Sequence, residues 1–72
     1  MDNKTVSEIF NTIYNGFWMK HRDTLPTLQD EDAWNALREE GNTLIKRYDC
    51  QLATDMVLNL LIIMDQRVRG RL

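Results

Sequence analysis

Cys50 and His21 are the only residues of their kinds in this 72-residue chain, and together they hold the elements of a nucleophilic pair. In such a pair a thiol attacks and an imidazole takes its proton, which requires the two groups to lie within about 3 Å. The helical pattern described below puts His21 where a first helix ends and Cys50 where a third begins. In a three-helix bundle of alternating direction those are opposite ends, about 25 Å apart by helix length. No Cys-His enzyme is expected on that geometry. The run His21-Arg22-Asp23 matches three residues of the kinase catalytic loop, yet this chain is too short for the nucleotide lobe and Gly-rich loop that such a loop serves. The chain contains no P-loop, HExxH or GxSxG pattern, and no His or Cys spacing that would hold a metal. The expectation is a protein with no catalytic residues, no cofactor and no metal.

The elements that position these residues follow from periodicity. With three Gly and one Pro the chain has few turns, and 43% of its residues are hydrophobic. Apolar residues recur at three and four positions, the helical period. Val6, Ile9, Phe10, Ile13, Tyr14, Phe17 and Trp18 form one stripe, with Thr5 as N-cap and Glu8 completing a capping box. Pro26 marks the first connection, and Leu25 and Leu28 are expected to tuck it against the bundle. Asp30, Glu31 and Asp32 open a second helix, whose apolar arc contains Gly41. Gly inside a helix costs about 1 kcal/mol against Ala, so its place on that arc points to close approach of a neighbour. Asp49 is the expected N-cap of the third helix. The reading is all-α: an antiparallel up-down-up three-helix bundle forming a single domain over residues 1–72, with helices at about 6–22, 30–48 and 50–69.

Ten of the thirteen residues from Leu52 to Met64 are apolar, a run too short for a bilayer span of about 20 residues. No membrane association is expected. On a helical wheel most of these residues cover half the circumference, while Leu58 and Ile62 fall outside it, one turn apart. A Leu and an Ile on the outer face of a bundle helix form an exposed apolar patch unless the Pro26 loop or a terminus covers them. The favoured reading is an interface, most simply a two-fold dimer in which helix three packs on its own copy. Met19 also lies off its helix's apolar stripe and joins the interface candidates. Tyr14, Phe17, Trp18 and Trp34 read as core, with a groove for a partner helix as the alternative.

The charges are nearly balanced, with nine basic and eleven acidic residues. Asp30–Asp32 and the arginines Arg67, Arg69 and Arg71 sit at helix ends of the sign that suits the dipole. Glu39 and Glu40 read as solvated. Nucleic acid is an unfavoured partner, because three arginines beside Gly70, a residue expected to loosen the helix end, make a small and salt-sensitive footprint. One cysteine allows no internal disulfide, and the first ten residues contain no cationic stretch followed by an apolar run. Both point to the cytoplasm.

The segments YNGFWMKHRD and RYDCQLATDMVLNLL resemble parts of short proteins encoded in phage or integrative elements of Firmicutes bacteria, and the resemblance runs from about Ile9 to Gln66. It implies an accessory protein that binds a host or element protein, and it assigns no site residues. The expected function is a non-enzymatic protein-protein interaction module, homo-oligomeric through helix three. The alternative is a small regulator that binds nucleic acid, or that inhibits a nucleic-acid-processing enzyme through the acidic surface around Asp30, Glu31, Asp32, Glu39 and Glu40.

Overall fold

A computed structural model describes residues 1–71, and these are all-helical, without strands. Three helices are present. The first, α1, is continuous over residues 3–21 but changes its winding along the way: Asn3–Asn11 is α-helical, Thr12–Trp18 is π-helical and Met19–His21 returns to α. Helix α2 is Glu31–Tyr48 and α3 is Gln51–Val68. The molecule measures 40 × 21 × 17 Å.

The π segment decides which face of α1 is buried. Four residues of ordinary α-helix overshoot a full turn by about 40°, so side chains spaced by four drift around the axis. Wider π turns, in which the Met19 N–H donates to the Tyr14 carbonyl five residues back, take up that drift. Ile9, Ile13 and Phe17 thereby share one face and are all fully buried. The cost falls on the neighbouring positions. Phe10 and Tyr14, expected on the same stripe, are 48% and 50% exposed, because a face aligned on every fourth residue leaves no room for a second row.

Helix ends correct the sequence reading in three places. Asp2, not Thr5, caps α1: its carboxylate accepts from the Thr5 N–H at 2.8 Å, and hydrogen bonding from Thr5 holds it below the usual carboxylate range. Thr5 lies inside the helix because the polar residues before it can also wind helically. Asp49 does not cap α3. It ends α2 in the left-handed conformation, φ 45°, and leaves Cys50 as the cap of α3 with no side-chain hydrogen bond. A connection of only two residues demands the sharp reversal that a left-handed residue supplies, and Asp tolerates it better than most. Gly70, expected to loosen the end of α3, instead closes it. With φ 74° it lets the Arg71 N–H reach the Gln66 carbonyl at 2.8 Å while its own N–H reaches that of Arg67 at 3.2 Å, a Schellman motif.

The vacant cap at Cys50 yields a stability prediction. A serine hydroxyl there accepts from the first free amides of α3, so Cys50→Ser is expected to stabilise the fold by about 1 kcal/mol. A urea titration with an unchanged or lowered midpoint would contradict it.

The core joins Ile9, Ile13 and Phe17 of α1 to Trp34 and Leu37 of α2 and to Ala53, Val57 and Met64 of α3. Gly41 marks a close approach between helices. A Cβ placed on it would stand 2.7 Å from the Val57 Cγ1, 3.6 Å from Leu61 and 3.7 Å from Phe17. The Trp34 indole N–H donates to the Thr27 carbonyl at 2.8 Å and ties the first connection to α2. Leu25 packs against the core from that connection, whereas Leu28 is left 38% exposed.

Candidate interaction site

Leu58 and Ile62 lie on the outer face of α3, 48% and 55% exposed. They project there because Ala53, Val57 and Met64 take the inward positions, leaving residues 58 and 62 about half a turn away. With Leu61 they floor a groove of about 520 Å³ whose α2 wall is Trp34 and Arg38, and whose C-terminal end is Asp65, Gln66 and Arg71. The Pro26 connection does not line this groove. A second, smaller groove of about 240 Å³ lies between α1 and α3, where Phe10 and Tyr14 stand over Met56, Asn59 and Leu60. Sequence reasoning missed it, since its cause is the π winding. The run Gly16-Phe17-Trp18 with Asn15 before it gave only a faint signal, a Gly inside an otherwise strong helix. Met19 is 38% exposed and lines neither groove.

Two of the three arginines are engaged locally. The Arg67 guanidinium stacks 5.7 Å from the Trp18 ring centroid, and Arg69 donates to the Asp65 carboxylate at 2.8 Å. Arg71 forms part of the groove end. Asp30 caps α2, its carboxylate accepting from the Ala33 N–H at 3.2 Å, with Glu31 and Asp32 in the first turn.

Glu40 corrects another expectation. Its carboxylate is not solvated beside Glu39 but accepts from Lys20 at 2.7 Å and pairs with the His21 ring, which stands edge-on to Phe17 at 5.6 Å. This cluster borders a cleft of about 450 Å³ that also includes Thr24, Pro26 and Leu37. The partners are twenty residues apart, beyond the reach of any periodicity argument. Partial burial pushes the Glu40 carboxyl up, and the hydrogen bonds and charges of Lys20 and His21 outweigh that and hold it below the usual glutamate range. A depressed carboxylate contributes stability that is present above its unfolded pKa and is lost as pH falls through the folded one. Wild type is therefore expected to exceed Glu40→Gln in stability at neutral pH, by no more than about 1 kcal/mol for a pair this open to water, with the gap closing below about pH 4. Denaturation midpoints of both proteins from pH 3 to 7 check it; a gap that widens in acid reverses the sign and refutes the assignment.

His21 thus sits beside the middle of α2, closer to Cys50 along the bundle than helix lengths alone suggest. Eight residues of helix, about 12 Å, still separate Glu40 from the end of α2 that precedes Cys50, far outside proton-transfer distance. Among the described residues no three His, Cys, Asp or Glu side chains are grouped to hold a metal, and no helix is long and apolar enough to cross a membrane. The described residues define a small all-α fold with apolar grooves on its exterior. No family model matches the chain, and neither a curated protein nor a solved structure matches it.

Proposed function

We propose that this chain is a non-enzymatic interaction module, an antiparallel up-down-up bundle that associates with its own copy through α3. The observation that carries the reading is the pair Leu58 and Ile62, two large apolar side chains one turn apart and half open to water on a helix whose other apolar residues are buried or half-buried. Water-exposed apolar groups in one groove are the usual mark of a contact surface, and burying them against a matching face recovers about 25 cal/mol for each Å² covered. The helix directions are supported by contacts that step in opposite senses: Trp34 shares a groove with Asp65, Gly41 meets Val57, and only Asp49 and Cys50 separate Tyr48 from Gln51. The resemblance to mobile-element proteins fits a cytoplasmic, partner-binding accessory role, and the local engagement of Arg67 and Arg69 weighs against nucleic acid as the partner.

Sedimentation and light scattering test it. Wild type is expected to be dimeric at about 100 μM, well above the micromolar scale of a modest interface. Leu58→Glu combined with Ile62→Lys should give a folded monomer with unchanged helical circular dichroism. A monomeric wild type at that concentration overturns the reading.

A further inference from the structure

Self-association requires more apolar area than Leu58 and Ile62 present. A stable interface covers about 800 Å² of each partner, and in homodimers about 65% of it is apolar, or about 500 Å². The two side chains are 48% and 55% exposed. Even if each had the area of a large aromatic, about 250 Å², the pair would offer no more than about 250 Å². The other half must come from apolar surface beside them.

Phe10 and Tyr14 supply it. They are 48% and 50% exposed, so on the same measure they add about another 250 Å². They share a groove with Met56, Asn59 and Leu60 of α3. Met56, Asn59 and Ile62 follow one another at intervals of three, a row that steps about 60° around the helix at each residue. The row crosses the outer face of α3 from the groove under the two aromatics to the groove floored by Ile62, which makes the two grooves opposite flanks of one ridge. No residue of that row is charged, and neither is any residue lining the aromatic groove. Asp55, exposed on the same face, accepts from the Gln51 side chain at 2.8 Å.

An uncharged groove gives an acidic or basic segment nothing to pair with. Aromatic and Met side chains without charge are the composition of an interface core, and homodimer interfaces are the more apolar kind. We infer that a second copy of the chain covers α1 as well as α3, on a face that runs from Leu58 and Ile62 over Asn59 into the groove under Phe10 and Tyr14. The inference rests on the self-association proposed above and adds the α1 half of the face, which the π winding exposes.

Phe10→Glu combined with Tyr14→Lys tests it by sedimentation equilibrium. The pair sets a carboxylate four residues before an ammonium, an order that supports a helix, and leaves the net charge unchanged. The dimer dissociation constant should rise about tenfold or more, with helical circular dichroism retained. A rise of less than about threefold overturns the inference while leaving self-association through α3 standing, and a monomeric wild type overturns both. A second measurement needs no variant and holds even if the double one does not fold. In NMR spectra of wild type between about 10 μM and 1 mM, a range that brackets a modest interface, the Phe10 and Tyr14 ring signals should shift with concentration along the same curve as the Leu58 and Ile62 methyls. Methyls that shift while the rings stay still overturn the inference and leave the aromatic groove to a partner other than a second copy.

Discussion

Phe17→Ala is expected to remove about 3–5 kcal/mol of folding stability, the usual cost of emptying a fully buried aromatic site. Phe17 is completely shielded from solvent, lies within van der Waals reach of the Gly41 site, and holds the His21 ring edge-on at 5.6 Å. It is also the last inward residue of the π segment, so its loss leaves a void where all three helices meet. A chain of 72 residues has a total stability of about 4–11 kcal/mol at the typical value per residue. The variant should therefore lose a large share of its stability, and at the lower end of that range it would be unfolded at 25 °C without denaturant. Phe17→Leu keeps most of the volume and should cost much less, about 1–2 kcal/mol. Urea titrations of the two variants check both figures. An alanine variant within 1 kcal/mol of wild type would mean that α1 does not pack as described.

Gly41→Leu is the second large effect, and it comes from too much volume rather than too little. Even a methyl group at this position would stand 2.7 Å from the Val57 Cγ1, and Val57 is itself fully buried with a short, branched side chain that cannot swing aside. Replacing Gly by a good helix former recovers about 1 kcal/mol of backbone propensity. Overpacking costs more: for leucine, at or above the upper end of its usual range of about 1–3 kcal/mol, because α2 and α3 must separate to admit it. A net loss of about 2 kcal/mol or more is expected. Gly16→Ala supplies the matching control, since a Cβ there has nothing within 4 Å. That substitution collects the propensity gain without a clash and should raise the urea midpoint. Opposite signs at two glycines of one chain would separate space from propensity; the same sign at both would count against the close approach at Gly41.

The two effects differ in how far they could be anticipated. Gly41 stood on the apolar arc of its helix, and from that position alone a close neighbour follows. Phe17 was legible as apolar and helical but no more so than Phe10 or Tyr14, which the structure leaves half open to water. The distinction comes from seven residues wound as a π-helix, whose hydrogen bonds depend on what α1 packs against. Asp30 was legible as an anion opening α2, and the structure makes it the cap. Capping was misread at Asp49, where the shortness of the connection, a tertiary constraint, made the residue end one helix instead of starting the next.

Surface chemistry divides in the same way. The outward position of Leu58 and Ile62 follows from the wheel of α3, because eighteen consecutive helical residues leave little freedom in the angle between any two of them. The pairing of Glu40 with Lys20 and His21 does not, since it joins residues about twenty positions apart that meet only when α1 settles beside α2.

Local periodicity therefore determined the all-helical class, the approximate extent of α2 and α3, the need for a close contact at Gly41 and the apolar pair on α3. Each depends on hydrogen bonds and side-chain angles within a few residues, which one stretch of sequence contains in full. Tertiary structure alone decided the winding of α1, the groove under Phe10 and Tyr14, the fate of Asp49 and Gly70, and the Glu40 cluster. These depend on which helix lies against which, a choice made by the packing of the three helices together.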